Sequence, residues 1–447
     1  MQTLQQLNDG LLLGAKRVKI AQGLTEFPGK LFELADTLEV LDLTDNQLTS
    51  LPDNFADLHQ LKILFLSNNL FDHLPDVLGQ CSNLDMIGFK ANQIRTVSEA
   101  SIPKQTRWLI LTDNHIEQLP ESLGQCHRLE KLALAGNRLT SLPSSMANCH
   151  QLALIRLSAN QLNELPQWLF TLPKLAWLAF SGNRFSHVEH CDNTRVPTIE
   201  LSQCSLGKLL GQGASGLIYQ ARLHTSPKAL ASALAAIAQD DVAIKLFKGM
   251  ITSDGYPADE LDCCLTAGEH PNLINVLAQI NQPDQLGLVM QLIPPSYANL
   301  GLPPSLQTCS RDTFEVHTSF TWQRIVKIGS QMADTLAHLH QNGISHGDIY
   351  AHNIMINPQD NVLFGDFGAA SNLNKFTPEY QQLMQAIEVR AFGCLLDDML
   401  NLIELNPVDN TQSVQTLRLI QLAQDCMQTN IASRPNFKMI HQQLASM

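Results

Sequence analysis

The chain has 447 residues, of which 44% are hydrophobic and 16% charged, and its formal net charge is −13. That length allows two or three domains with large cores, and the composition excludes a mainly disordered chain. Residues 1–190 carry 15 basic and 19 acidic side chains and residues 191–447 carry 14 and 23, with no basic stripe, so neither nucleic acid nor an anionic membrane is expected as the main partner.

Nothing near the start reads as a signal peptide, because Leu11-Leu12-Leu13 is too short for its apolar core. The longest small-apolar stretch, Leu230 to Ala238, contains Ser232 and is too short to span a bilayer. No membrane span is therefore expected between the two halves. The ten cysteines include no CxxC pair, which points to a reducing, cytoplasmic setting. Cys81, Cys126 and Cys149 each stand twelve residues after a recurring asparagine and read as small buried hydrophobes.

Residues 1–36 read as a capping helix followed by a degenerate first repeat carrying Val18, Ile20, Leu24, Phe27 and Pro28. Residues 37–190 are periodic. Asn46, Asn69, Asn92, Asn114, Asn137, Asn160 and Asn183 are spaced 23, 23, 22, 23, 23 and 23 apart. Leu38-Glu39-Val40-Leu41-Asp42-Leu43-Thr44-Asp45-Asn46 and Leu129-Glu130-Lys131-Leu132-Ala133-Leu134-Ala135-Gly136-Asn137 show the common frame. This resembles the leucine-rich repeat pattern L-x-x-L-x-L-x-x-N-x-L. Leucines such as Leu41 and Leu43 should point inward from one short strand, and stacked neighbours supply the surface that one repeat alone lacks. The asparagine amides should bond backbone of adjoining turns in a ladder. Pro52, Pro75, Pro120, Pro143 and Pro166 sit at fixed phase, whereas the third copy has Val97-Ser98 and is one residue short. Val40, Ile63, Met86, Trp108, Lys131, Leu154 and Trp177 form one column on the concave face, and Phe65, Ile110 and Arg156 belong to the next. Trp108, Trp177 and Phe65 are the candidate contacts for a protein partner or substrate on that face, although a partly shielded strand position also tolerates such residues.

Residues 191–200 read as a linker, and a new pattern fills 201–447. Gly211, Gly213 and Gly216 make a G-x-G-x-x-G loop between apolar flanks, a weak motif by itself. Val242-Ala243-Ile244-Lys245 follows as a strand, with an alanine-rich insert, Ser226 to Asp241, between the two. Lys245 needs a carboxylate from the next helix. Glu260 is the best placed, with Asp259 and Asp262 as competitors. Gly287 to Ile293 reads as a buried strand that runs into a hinge. His346-Gly347-Asp348-Ile349-Tyr350-Ala351-His352-Asn353 and Asp366-Phe367-Gly368 come next, and Ser433-Arg434-Pro435 closes the series.

In this order the motifs resemble the eukaryotic-type protein kinase superfamily across residues 201–447. The expected architecture is a leucine-rich repeat solenoid of seven to eight repeats, then a bilobal α+β kinase-like domain. The resemblance implies ATP and Mg²⁺, with Asp348 as the base, Asn353 and Asp366 as metal ligands, and Lys245 on the α- and β-phosphates, held by Glu260. Gly211, Gly213 and Gly216 would cover the phosphates. Ile218, Ala243 and Met355 would sandwich the adenine beside the gatekeeper Met290, and backbone of Gln291 to Ile293 would bond its edge.

Three departures qualify the resemblance. Gly347 replaces the arginine that pairs with an activation-segment phosphate in many kinases, so activity should not need that phosphate. Tyr350 stands where serine/threonine kinases usually carry lysine. The stretch after Asp-Phe-Gly is short, with the next large helix expected around Glu388 and no clear Ala-Pro-Glu, and Glu379 is the residue left to meet Arg434. A serine/threonine-type protein kinase with recruiting repeats is the leading expectation. A pseudokinase scaffold and a small-molecule phosphotransferase are the alternatives.

Overall fold

A three-residue strand suffices in each repeat, because its central side chain finds an apolar partner one repeat away on either side. The computed structural model describes residues 1–186, 196–213, 215–224, 230, 241–249, 254–404 and 410–447. They fall into two units, Met1–Leu175 with Asn183–Phe185, and Ala176–Gly182 with Ser186–Met447.

The first unit opens with the helix Leu4–Asn8, where the Thr3 side chain accepts from the Gln6 N–H and the Gln6 side chain accepts from the Thr3 N–H. Strands β1 (Arg17–Lys19), β2 (Val40–Asp42), β3 (Ile63–Phe65), β4 (Met86–Gly88), β5 (Trp108–Ile110), β6 (Lys131–Ala133) and β7 (Leu154–Arg156) follow, each parallel to the next. The degenerate first repeat thus supplies a full strand. The central residues Val18, Leu41, Leu64, Ile87, Leu109, Leu132 and Ile155 are completely buried, each worth about 1.5–3 kcal/mol.

The asparagine ladder is present. Asn137 Nδ2 donates to the Leu111 and Leu134 carbonyls at 2.8 and 2.9 Å, and its Oδ1 accepts from the Ile116 N–H at 3.0 Å. Asn69, Asn92 and Asn160 bond in the same way. Just before each ladder asparagine the backbone is left-handed: Asp45, Asn68, Ala91, Asp113, Gly136 and Ala159 have φ between 52° and 73°. Four residue types share that position, so composition does not announce it. Between β4 and β5 no 3₁₀ turn forms among the described residues, and the short repeat passes so close that a Cβ on Gly79 would lie 1.8 Å from the Ala100 carbonyl oxygen. Cys81, Cys126 and Cys149 are buried free thiols, and burial pushes Cys126 up to about 12.

The second unit contains β8 (Trp177–Ala179) and β9 (Thr198–Ile199). Strands β10 (Cys204–Gln212), β11 (Gly216–Leu223), β12 (Asp241–Phe247), β13 (Val276–Gln282) and β14 (Gln285–Gln291) build a sheet in the order β10-β11-β12-β14-β13-β9. Its core is Val242, Ile244, Ala278, Ile280 and Val289 with Ile199 and Ala221. The helix Pro257–Ala267 contacts β14 of this sheet. Beyond β15 (Ala298–Asn299) the helices Trp322–Gln341, Pro378–Leu400, Asn410–Cys426 and Phe437–Ala445 make a helical lobe. Ile328, Met332, Leu336, Phe392, Leu396 and Leu444 are buried in it. Short strands β16 (Ile344–Ser345), β17 (Ile354–Ile356), β18 (Val362–Phe364) and β19 (Ser371–Asn372) carry the intervening loops.

Two expectations are corrected. Trp177 is 2% exposed, so it is no part of an open docking strip. The helix expected around Glu388 begins at Pro378, which leaves the segment after Asp-Phe-Gly shorter still. Most of the expected linker and the alanine-rich insert lie outside the described residues.

Candidate active site

Lys245 alternates with buried neighbours along β12, which aims its side chain away from the sheet core and toward the helix Pro257–Ala267. There it pairs with Glu260, not with Asp259 or Asp262, and its Nζ lies 3.8 Å from Asp366 Oδ1. Asp262 instead accepts from Asn372 Nδ2 at 3.2 Å. Lys245 is 7% and Glu260 4% exposed. Burial works against charge on both, but the Glu260 and Asp366 carboxylates outweigh it at Lys245, whose pKa is raised.

Asp366 has a left-handed backbone, φ 61°, and more than half of its side chain is open. Its neighbour Phe367 is buried against His346, with ring centroids 5.1 Å apart. His346 also stacks on Phe364 at 4.1 Å, and its Nε2–H donates to the Gly365 carbonyl at 3.0 Å. Burial lowers the pKa of His346, so the ring is neutral. His270-Pro271-Asn272 explains the strand before Asp366: Phe364 N–H donates to the Asn272 carbonyl at 2.8 Å, and Asn272 Nδ2 to the Val362 carbonyl at 3.0 Å.

On the loop after β16, Asn353 Nδ2 donates to Asp348 Oδ2 at 2.8 Å and to the Asp348 carbonyl at 3.1 Å. That uses the amide nitrogen and leaves Asn353 Oδ1 as the atom a hard cation would take. That atom and the Asp366 carboxylate are both oxygen donors, the kind a hard cation takes. Two further carboxylates support the loop. Glu388 accepts from the Gly347 N–H at 2.6 Å and from His340 Nε2 at 2.7 Å. Asp312 accepts from the Ala351 N–H and from His352 Nδ1. Sequence reading marked Glu388 only as an unusual helix residue and missed Asp312, which lies in no motif.

Gly347 is a steric requirement. Its φ is 73°, and a Cβ there would lie 2.4 Å from the Ala369 carbonyl oxygen and 3.1 Å from that of Leu178. An arginine would not fit this backbone. Gly216 is likewise structural, because its Cβ would meet the Leu246 carbonyl oxygen at 2.6 Å. Gly211 and Gly213 face open space, and the Gly213 N–H closes the loop tip onto the Gly216 carbonyl at 3.0 Å.

The remaining candidates are distributed over both lobes. Ile218 pairs with Lys245, and Ala243 with Met290, on adjacent strands. Met355 lies half-buried on β17 of the helical lobe. The Gln291 N–H is taken by the Asn275 carbonyl at 2.9 Å, so it is not a donor to adenine; Ile293 is half-buried just beyond β14. Arg434 does not meet Glu379. It donates to the Gln428 and Ala386 carbonyls at 2.9 and 2.8 Å, and burial lowers its pKa to about 10. Phe65 and Trp108 are half-buried, with Lys131 Nζ 4.4 Å from the Trp108 ring centroid.

The family model described as protein tyrosine and serine/threonine kinase matches residues 204–392. That described as leucine rich repeat matches 22–71, 36–94, 104–162 and 127–185. Mitogen-activated protein kinase kinase kinase 3 of Arabidopsis thaliana is 28% identical over 37% of this chain and 23% of its own length. Serine/threonine-protein kinase Nek10 of Homo sapiens is 27% identical over 46% and 17%. L-type lectin-domain containing receptor kinase S.7 of Oryza sativa subsp. japonica is 27% identical over 38% and 21%. The chain thus spans less than a quarter of the length of these relatives. By these matches, residues 22–185 are a leucine-rich repeat region and residues 204–392 a domain of the protein tyrosine and serine/threonine kinase family.

Proposed function

We propose that the protein is an ATP-dependent protein kinase, serine/threonine-type, that transfers a phosphoryl group to a protein hydroxyl. The observation that carries this is the assembled polar set: Lys245 paired with Glu260 and 3.8 Å from Asp366, and Asp348 bonded to Asn353. A relic site would have no reason to keep a buried lysine charged beside an open aspartate. The relatives named as serine/threonine kinases support the acceptor class.

In this reading Lys245 neutralises and orients the α- and β-phosphates, and Gly211 and Gly213 let backbone come close to them. Asp348, fixed by Asn353, orients the acceptor hydroxyl and receives its proton. Asn353 and Asp366 hold Mg²⁺, which when bound spreads charge from the transferring group. The rate then comes from positioning and charge neutralisation. The repeats recruit the substrate or a regulator and raise its local concentration. Half-buried Phe65 and Trp108 on the strand faces support protein contact there. Among the described residues no helix is long and apolar enough to cross a membrane, and a cytoplasmic setting is part of this proposal.

The test is transfer of label from γ-labelled ATP with Mg²⁺, comparing the full chain with Asp348→Asn. Turnover should fall about 10²–10⁴-fold in the variant while nucleotide binding is kept. Equal label in both proteins would support a scaffold instead, and label on a small metabolite alone would support a small-molecule phosphotransferase.

A further inference from the structure

Kinases commonly order the catalytic loop and the segment after Asp-Phe-Gly through a phosphate gripped by the arginine before the catalytic aspartate. Here that position is Gly347, whose backbone conformation and surroundings exclude a side chain. Something else must hold the two stretches, and Ala176–Gly182 touches both.

Trp177 is 2% exposed, and its Nε1–H donates to the Ile349 carbonyl at 3.0 Å. Its ring stacks on Tyr350, with centroids 4.6 Å apart and planes 3° from parallel. Four residues along, Ser181 Oγ–H donates to the Ala370 carbonyl at 2.8 Å, and the Phe180 N–H donates to Ser371 Oγ at 3.3 Å. Ser371 in turn sits on β19, paired with β16, which leads directly into the catalytic loop. One seven-residue segment therefore bonds both the Ile349–Tyr350 peptide and the stretch Ala370–Ser371.

We propose that Trp177 is a positioning residue for phosphoryl transfer, and that the segment Ala176–Gly182 takes the place of a phosphate-ordered activation segment. The proposal rests on the kinase reading above. The Ile349 carbonyl belongs to the Ile349–Tyr350 peptide, one peptide past the Asp348 Cα, so the indole N–H restrains the backbone that directly follows the catalytic carboxylate. Asn353 holds that carboxylate from the other side. Without the indole, the Ile349 carbonyl loses its buried donor and Tyr350 loses its stacking partner. The peptide can then rotate, and a displacement of about 1 Å at a reacting group costs about 10²-fold in rate.

The experiment uses the full chain with Trp177→Ala, Trp177→Phe and Ser181→Ala. Turnover is expressed per nucleotide-binding site, measured by titration with a non-hydrolysable ATP analogue, so that loss of folded protein is divided out. Trp177→Ala should lower kcat about 10–100-fold with the KM for ATP unchanged, since Lys245 and the glycine loop stand apart from it. Trp177→Phe keeps the stack but not the N–H and should fall between Trp177→Ala and the parent chain. Ser181→Ala should lose about two- to fivefold. Phosphatase treatment of the parent chain should leave its rate unchanged. Parent-like kcat in Trp177→Ala, or a rise that marks the segment as a block on the acceptor site, would overturn the proposal. Should the parent chain transfer no more label than Asp348→Asn, the kinase reading fails by itself. Amide exchange at residues 347–351 then judges the positioning claim, with faster exchange in Trp177→Ala supporting it and unchanged exchange refuting it.

Discussion

The two units bury polar groups by opposite strategies. In the repeats one asparagine environment recurs, so no single bond decides the fold. In the kinase-family unit two buried carboxylates each have their own pair of donors: Glu388 serves Gly347 and His340, and Asp312 serves Ala351 and His352. Redundant architecture tolerates damage locally, whereas singular architecture concentrates it at a few positions close to the chemistry.

The sharpest way to break that contrast is Glu388→Ala. It leaves the Gly347 N–H and His340 without their buried acceptor and should cost about 3–5 kcal/mol, read from urea unfolding followed within the kinase-family unit. A loss below about 1 kcal/mol would mean that the loop has a second support. Asn137→Ala should cost less, about 2–3 kcal/mol, by orphaning the groups that Asn137 now satisfies. Asn69→Ala and Asn160→Ala should agree with it to within about 1 kcal/mol, and a wide spread would show that the repeats are not equivalent. The smallest effect is a gain. Ala91 is held at φ 53° and half-buried, so Ala91→Gly should stabilise the solenoid by about 0.5–1 kcal/mol in thermal unfolding.

Periodicity made the solenoid legible, since a ladder residue returning every 22 or 23 positions reports both the strand and its partner. The left-handed residue before each asparagine stayed hidden, because aspartate, asparagine, alanine and glycine all occupy it. Lys245, Asp348, Asn353 and Asp366 stand out in the sequence because the motifs that resemble the kinase family carry those residue types in that order. Glu260 could be preferred over Asp259 and Asp262 only weakly, since one helical turn offers all three until the packing is known. Asp312 and Trp177 were unreadable as partners of the loop at 346–353. Each acts across a long separation in sequence, through a backbone group that carries no residue signature.

The stretch from Asp366 to Thr377 holds twelve residues before the helix Pro378–Leu400 begins. Fully drawn out it reaches only about 40 Å, and much of it is already tethered, by β19 against β16 and by the Leu373 N–H on the Gly343 carbonyl at 2.7 Å. It has too little slack to swing outward and back as a gate. A change in this stretch is therefore expected to begin at what the tether is tied to.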